Sequence, residues 1–556
     1  MTTIRSYNKR LESLKSERSS FIPLYRELSD YHLSHRGRFL TSDRNKGHKR
    51  NTRQINNTSR LSARTLASGM MAGITSPARP WFRLGTGNSD LAEIASVKEW
   101  LHKVQNIMYR VFAGSNIYNS LHMLYSELGV FGTAPMGVFA DFDSVIWCKP
   151  YTVGSYVLGT NEKNIVDTFY REYEISVAQC IKQFGKENCS NQVNQMWDKG
   201  NSESWIKIVH AIEPNDDRDS NSPLSTDMKF RSVYYEADRG HGADEDKFLR
   251  ESGFKTFPIL APRWDLTGED IYAPDCPGMT VLGDTKTLQL AEKRSYQALD
   301  KVVSPPLQGP SSLRNKIEGG VVGANDIVFN DEAGNGLKSI YDFRPDMAAI
   351  DRKIQDAEDR IKRGFYEDLF LMLANSDRRQ ITAREVAEKH EEKLLMLGPV
   401  LERLHTELLD PLIDRTFQML QEAGVLPTPP EELQDQELNT TYISVLAQAQ
   451  RLVATGSIER VSQFAGNLAA IWPEARHKVD SLQAVDDYAE ALGVNPKIIR
   501  SDDQANAIVA AEKEALAKAQ AQEQGQQLAN TAKTMSETDM SEENALGKAA
   551  QNAGIL

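Results

Sequence analysis

Residues 282–303, LGDTKTLQLAEKRSYQALDKVV, limit the fold more sharply than any other stretch. On a helical projection the basic side chains fall within an arc of about 100°, and the apolar ones lie broadly opposite. The segment therefore predicts an amphipathic helix about 33 Å long, which Pro305-Pro306 end. Its basic face is either an ordinary solvated stripe or a contact surface. The basic residues are Lys286, Lys293, Arg294 and Lys301, and the apolar ones are Leu288, Ala291, Tyr296, Leu299, Val302 and Val303.

The flanking segments differ from this helix in character. Residues Gln308–Asp342 are rich in glycine and show little helical period, which is typical of a functional or disordered loop. A second helix is predicted from Pro345, with a buried stripe continuing to Leu369. A capping box at Thr382–Glu385 predicts a further helix that ends at Gly424, with a kink or break at Gly398-Pro399 and at Pro411.

The N-terminal part begins with a helical pattern over Ile4–Leu33 and continues into a basic stretch, Ser34–Arg64. This stretch carries nine basic residues and a single acid, Asp43, in a chain whose net charge is −12. Two interpretations stay open: an arm that touches nucleic acid, or a surface loop that pairs with an acidic neighbouring subunit. The strongest part of the basic arm is Arg44, Lys46, Lys49, Arg50 and Arg53.

The middle of the chain alternates between helical and strand-like patterns. Leu61–Leu84 is rich in Ala, Ser and Gly, which predicts a helix that approaches its neighbours closely. Strand patterns follow from Met136 to Leu260, interrupted by an acidic, turn-rich insert over Pro214–Asp227 with Asp216, Asp217 and Asp219. The predicted fold class is therefore α+β, mainly α-helical.

Composition and missing motifs exclude several classes of protein. The 556 residues predict about three structural regions, and the acidic charge argues against general attraction to nucleic acid. The four cysteines lack metal-ligand spacing, and no apolar run reaches membrane-spanning length, which predicts a soluble protein in a reducing compartment. No P-loop, nucleophile elbow, zinc-protease or EF-hand motif occurs. The sequence thus predicts a protein that is not an enzyme and has no metal or cofactor.

Four colinear stretches resemble the portal proteins, or head-to-tail connectors, of short-tailed double-stranded DNA bacteriophages. The resemblance covers about residues 1–425 and is specific because the stretches occur together and in order. They are LASGMMAGITSP with the following Trp81-Phe82, YSELGVFGTA (Tyr125–Ala134), FPILAPRWDLTGEDIYAPDCP (Phe257–Pro277), and ITAREV…LGPVLERLHTELLDPLIDR from Ile381.

The resemblance implies a homododecameric ring around a DNA channel at one capsid vertex, assembled in the bacterial cytoplasm and retained in the virion. Its implied partners are the double-stranded DNA in the channel, a terminase ATPase during packaging and a tail adaptor afterwards. The major capsid and scaffolding proteins are also implied partners. Implied roles are packaging, genome retention and ejection. The implied regions are an N-terminal wing (1–174, with the basic arm 34–64), a helical lead-in (175–202), an α+β clip (203–277), a stem helix (278–304), a tunnel loop region (305–344), wing or inner helices (345–425), and crown helices with a polar tail (426–556).

These regions assign a role to each group of candidate residues. Lys286, Lys293, Arg294 and Lys301 would face the channel, and Asp216, Asp217 and Asp219 would dock partners at the clip. The tunnel loop would include Gly319, Gly320, Gly323, Gly334, Gly336 and Lys338. The alternatives are another ring-forming virion protein, such as a tail adaptor or internal core protein, or a metal-dependent nuclease subunit of the packaging machinery.

Overall fold

A computed structural model describes most of the N-terminal four-fifths of the chain and parts of the rest. The chain divides into two units, Met1–Ala454 and Thr455–Leu556; in the second, 461–468 and 507–519 are helical. The described residues are 3–40, 54–86, 91, 94–219, 222, 224–237, 247–305, 307–309, 327–329, 338–339, 346–374, 397–433, 438–443, 461–468, 472, 478–482, 484–485, 505 and 507–519.

Helices of the first unit frame its sheets. A helix over 397–404 continues through a π-helical turn, His405–Leu409, into the last of them. The α-helices are α1 (Ile4–Ser19), α2 (Ile22–Tyr31), α3 (Thr58–Ile74), α4 (Ala95–Gly114), α5 (Ile117–Phe131), α6 (Val177–Phe184), α7 (Asn191–Asp198), α8 (Pro277–Thr280), α9 (Leu282–Val303), α10 (Met347–Gly364), α11 (Glu367–Ala374) and α12 (Asp410–Glu422).

Four sheets are formed by the described strands. An antiparallel five-stranded sheet has the order β4-β5-β6-β7-β8, and the smaller sheets have the orders β3-β2-β9, β11-β10-β12 and β1-β13. The strands are β1 (Phe82–Thr86), β2 (Met136–Asp141), β3 (Val145–Pro150), β4 (Tyr156–Thr160), β5 (Val166–Ser176), β6 (Trp205–Pro214), β7 (Phe230–Glu236), β8 (Arg250–Phe254), β9 (Ile259–Leu260), β10 (Leu307–Gly309), β11 (Ile327–Phe329), β12 (Lys338–Ser339) and β13 (Leu438–Tyr442).

The mixed α+β class predicted from the sequence is confirmed, with differences at several boundaries. The single helix expected over Ile4–Leu33 is two helices, because Pro23 lies in the first turn of α2 and cannot continue α1. Residues Phe254–Leu260, expected as one strand, end β8 and then form β9 in a different sheet. Helices were expected from residue 426 onward, yet β13 pairs antiparallel with β1.

The five-stranded sheet joins segments that the sequence assigned to different regions. Strands β4 and β5 lie before residue 177, and β6 to β8 lie within 203–277, yet all five hydrogen-bond in one sheet. Helix α1 covers one face through Tyr7, Leu11 and Leu14, which pack on Tyr170 and Val209. The structure therefore differs from the expectation of a separate clip at 203–277, and the expected lead-in at 175–202 consists of two eight-residue helices.

The main core is built around α3, whose small residues permit close helix packing as predicted. Gly69 of α3 lies against Phe370 of α11, so close that an added Cβ atom would be 2.2 Å from the Phe370 Cβ. On α5, a Cβ at Gly129 would be 2.5 Å from Leu66 of α3. Thus α3 is held between α5 and α11 at distances that larger side chains would prevent.

The C-terminal end of α12 follows the sequence closely. Gly424 adopts a left-handed conformation, φ 64°, and caps the helix as predicted. The helix was expected to kink or break at Gly398-Pro399 and at Pro411. Both positions are helical, but a π-helical turn ends at Leu409, two residues before Pro411. A proline removes one helical hydrogen bond, and the wider turn accommodates that loss.

Candidate assembly surface and DNA-contact residues

Helix α9 has two halves with different surroundings, although its bounds agree with the sequence prediction. The first half lies in the main core, where Leu282 and Leu288 are buried. The second half leaves apolar side chains exposed: Tyr296 is 61% exposed, Leu299 47% and Val303 73%. No described part of the chain therefore covers the apolar face of the second half of this helix.

Helices α9 and α10 pack against each other in an antiparallel arrangement. Arg360, near the end of α10, pairs with Asp284, near the start of α9, at 2.8 Å. Farther along, Asn56 donates hydrogen bonds to Glu292 of α9 and to Glu358 of α10, each at 2.8 Å. The chain therefore reverses direction over 304–346, and the sheet β11-β10-β12 lies within that reversal.

The four basic residues of α9 differ in their environments. Lys286 forms an ion pair with Glu27 of α2 at 2.5 Å and lies 6.0 Å from the Tyr31 ring centroid. Lys293 and Arg294 are exposed, and Lys301 is half-buried. The first residue is thus engaged within its own chain, whereas the exposed pair is accessible to a ligand.

The two ends of the basic arm are anchored, although Arg44, Lys46, Lys49, Arg50 and Arg53 lie outside the described residues. At the N-terminal end, the Gly37 N–H donates to Thr152 at 2.9 Å. At the C-terminal end, the Gln289 side chain accepts from the N–H groups of Ile55 (2.6 Å) and Asn56 (2.8 Å) and donates to the Asn56 carbonyl (2.8 Å). The arm therefore leaves from the N-terminal core and returns on the α9–α10 pair.

The acidic insert is accessible and has a fixed base. Asp216, Asp217 and Asp219 are exposed in the connection after β6. Asn215 holds the base of this connection by donating to the carbonyls of Thr226 (2.9 Å) and Met228 (3.2 Å). The carboxylates are therefore presented on a supported turn.

The glycine-rich stretch contains strands where the sequence predicted a loop. Strands β10, β11 and β12 lie within residues 305–344, the expected tunnel loop region. Strand β10 pairs parallel with β11 and antiparallel with β12. Gly319, Gly320, Gly323, Gly334 and Gly336 lie outside the described residues, and Lys338 is in β12. Short strands of two or three residues give too little alternation to be recognised in a sequence.

Sequence reasoning missed the buried ion pair between Arg263 and Glu407. The Arg263 side chain is 2% exposed; its Nη2 lies 2.5 Å from Glu407 Oε1, and its backbone N–H donates to Oε2 at 2.8 Å. Arg263 also donates to the carbonyls of Asp270 (3.0 Å) and Asn164 (2.7 Å). Glu407 belongs to the π-helical turn, so this turn and the 257–277 stretch are held together.

Within the described ranges there is no group of three or more His, Cys, Asp or Glu placed to hold a metal ion. No helix among them is long and apolar enough to span a membrane. All four cysteines are buried, and none of them forms a disulfide bond.

Comparison with known proteins identifies the family of the chain. A family model described as the bacteriophage head to tail connecting protein matches residues 5–499. The chain belongs to this family. The connector resemblance predicted from the sequence is confirmed, and it extends beyond residue 425.

Two relatives of this connector chain show how far the similarity reaches. A probable portal protein of Bordetella phage BPP-1 is 45% identical over 536 residues, which are 96% of this chain and 95% of the relative. A portal protein of Salmonella phage epsilon15 is 44% identical over 548 residues, which are 98% of each. A solved chain from the neck of an empty gene transfer agent particle covers 78% of this chain at 11% identity, with a TM-score of 0.31. A score this low does not by itself establish a shared fold.

Proposed function

We propose that twelve copies of this connector chain form a ring around a channel at one capsid vertex. Double-stranded DNA enters the head through this channel, is retained and is later ejected. A terminase ATPase supplies the energy, and the tail adaptor replaces it after packaging. Membership in the connector family supports this proposal. The single structural observation that carries it is the uncovered apolar second half of α9.

An uncovered apolar face on a helix favours association between copies. Leu299, Val302 and Val303 are each about half exposed or more in one copy. Burying such side chains stabilises an interface by about 1.5–3 kcal/mol each when burial is complete. A surface repeated in every copy can build a closed ring when its contacts are heterologous.

Charging this face should abolish ring assembly. In a Leu299→Glu/Val303→Glu variant, association would bury two unpaired carboxylates, which is strongly unfavourable. Mass photometry of the purified variant should show monomers or small oligomers where the unchanged chain gives a closed ring. Gln297→Glu, on the same helix at an exposed non-apolar position, is the control and should assemble. Rings of unchanged mass from the double variant would contradict the proposal.

The antiparallel pair α9–α10 supplies the stem in this proposal, and the reversal over 304–346 supplies the clip. A clip lies where the chain turns between two stem helices, and the ion pair Arg360–Asp284, which joins α9 to α10, supports the proposal that these are the two helices. This assignment replaces both the clip at 203–277 and the tunnel loop at 305–344. Crosslinking of 304–346 to terminase or to the tail adaptor in assembled particles would support it, and its absence in both would count against it.

The exposed basic residues of α9 are proposed to make weak, repeated contacts with DNA phosphates in the channel. Lys293 and Arg294 are accessible, and sparse bases allow DNA to move because each phosphate contact is weak and sensitive to salt. A Lys293→Ala/Arg294→Ala variant should assemble normally and package DNA more slowly, by several-fold, in an in vitro packaging reaction. Lys286→Ala, which removes a base already paired with Glu27, is the comparison. An unchanged packaging rate in the double variant would assign both residues to an ordinary solvated surface.

The acidic turn after β6 is proposed as a second docking surface. Its three exposed carboxylates suit a basic patch on terminase or on the tail adaptor. A variant with Asn at positions 216, 217 and 219 keeps the turn and the Asn215 anchor, so rings should form while capture of at least one partner weakens several-fold in pull-downs. Unchanged capture of both partners would exclude the surface.

The basic arm is proposed to contact either packaged DNA or an acidic neighbouring subunit. If DNA is the partner, binding should weaken steeply with salt, and neutralising Arg44, Lys46, Lys49 and Arg50 should flatten that dependence. If the neighbour is the partner, the same change should weaken ring assembly and leave the salt dependence unchanged.

A further inference from the structure

A cavity of about 680 Å³ lies on the face of the five-stranded sheet opposite α1. Strands β2, β3, β5, β6 and β7 and helix α6 all contribute side chains to its wall. Its volume is within the range of pockets that hold small ligands, about 300–1,000 Å³. Nothing in the connector function described above uses this cavity.

The charged side chains of the cavity are all basic. Lys149, Arg171 and Lys182 line it, and no aspartate or glutamate lies in its wall among the residues that the structure describes. The Arg171 guanidinium interacts with the hydroxyls of Tyr151 and Tyr173, but its buried Nε–H has no hydrogen-bond acceptor among those residues. A buried donor without an acceptor is costly, and like charges brought together repel each other. Both costs would fall if an anion entered.

Aromatic rings form most of the remaining wall, which also includes Ile175, Gln179 and Gln183. The Arg171 guanidinium lies 3.9 Å from the ring centroid of Tyr173 and 5.3 Å from that of Tyr151, which holds it in place. His210 stacks on Tyr234 with centroids 3.9 Å apart. Burial lowers the pKa of His210 well below its usual value, so this ring pair is an uncharged flat surface. The cavity therefore combines fixed cations with flat apolar faces.

We propose that this cavity binds an oxyanion, a carboxylate or phosphate, carried by a molecule that also has a flat ring. Lys149 and Arg171 bind the oxyanion, and the aromatic walls pack on the ring. A DNA duplex is too wide for the cavity and keeps its bases stacked, so packaged DNA is not the occupant. The remaining sources are a small molecule such as a nucleotide, and an acidic side chain beside an aromatic one in a partner polypeptide.

The binding test uses isothermal titration calorimetry on the full-length protein. The probes are inorganic phosphate, adenosine 5′-monophosphate and the capped dipeptide N-acetyl-Phe-Asp-amide. At least one ring-bearing probe should bind more tightly than inorganic phosphate, since phosphate lacks the stacking contact. Preferred binding of the nucleotide indicates a small-molecule site, and preferred binding of the dipeptide indicates a polypeptide partner.

Two substitutions connect binding to this cavity. Lys149→Met should weaken the preferred probe about tenfold or more, because it removes a charged hydrogen-bond donor. Lys182→Gln, at the exposed rim, should weaken it less. Lys15→Met is the matched control: Lys15 is on the opposite face of the same sheet region, and Glu172 and Glu12 already neutralise it. Circular dichroism checks that each variant is folded.

Proton uptake provides a second readout. Burial, followed by the charges of Arg171 on β5 and Arg38, lowers the pKa of Lys149 to about 8. The other groups around it are Lys182 on α6, the neutral His210 on β6, and the hydroxyls of Tyr151, Tyr173 and Tyr234. A bound anion favours the charged lysine, so binding at pH 8 should take up protons, and the measured enthalpy should depend on the buffer. This dependence should disappear in Lys149→Met. The proposal is overturned if no probe binds below millimolar concentration, or if Lys149→Met binds as tightly as the unchanged chain.

Discussion

Replacing Arg263 by methionine should lower the free energy of unfolding by about 3–5 kcal/mol, because the substitution leaves the Glu407 carboxylate without its partner. The Arg263 side chain is 2% exposed and also donates to two backbone carbonyls, so the substitution removes these bonds as well, while the Glu407 side chain is only 19% exposed to water. Urea unfolding followed by tryptophan fluorescence would measure the change, with Trp264 beside the site as one reporter.

An exposed ion pair provides the control for Arg263. Lys255 and Glu422 pair at 2.7 Å with side chains 58% and 49% exposed. Surface pairs contribute about 0–1 kcal/mol, so Lys255→Met should change stability little. Equal shifts of the urea midpoint in Arg263→Met and Lys255→Met would contradict this prediction. A double variant, Arg263→Met/Glu407→Gln, should recover part of the loss since no buried charge is left unpaired.

Gly69→Ala should destabilise the first unit by about 2 kcal/mol, although alanine favours helices. The new methyl carbon would lie 2.2 Å from Phe370 Cβ, so α3 and α11 must separate, and overpacking of this kind costs about 1–3 kcal/mol. Thermal unfolding by circular dichroism would measure a lower midpoint.

The same substitution at Gly283 should have the opposite sign. Gly283 lies in α9, and, apart from its chain neighbours and the helix's own backbone, no atom of the described residues lies within 4 Å of an added Cβ. Alanine there gains helix propensity worth up to about 1 kcal/mol, so Gly283→Ala should unfold at the same or a higher temperature. Equal effects at both glycines would show that close packing of α3 on α11 does not limit stability.

Parts of the fold could be predicted from the sequence because their signal is local. The period of α9 and its proline stop predicted both of its ends, and small residues predicted the close packing of α3. The sequence did not show that β4 to β8 form one sheet, because pairing partners far apart in the chain leave no periodic trace. Pro23 indicated a break between α1 and α2, but the apolar pattern continues through it and led to the prediction of a single helix.

In the candidate site too, local patterns could be predicted and contacts between distant residues could not. Charge and periodicity identified the basic residues of α9, but only the structure shows that Lys286 pairs with Glu27 while Lys293 and Arg294 are exposed. Arg263 and Glu407 are separated by more than a hundred residues, so no spacing rule could join them. The basic cavity was missed for the same reason, since Lys149 and Arg171 lie on different strands.

The anchoring of residues 55–56 by Gln289, Glu292 and Glu358 joins the arm to the α9–α10 pair. Thermodynamic linkage then applies to the two regions. Suppose that a ligand binds the arm more tightly when α9 and α10 have one orientation. Ligand binding then favours that orientation by the same factor by which the orientation raises the affinity for the ligand. In the proposed ring, contacts made by α9 and binding at the arm would therefore be coupled, so completion of the ring would change the affinity of the arm for its ligand.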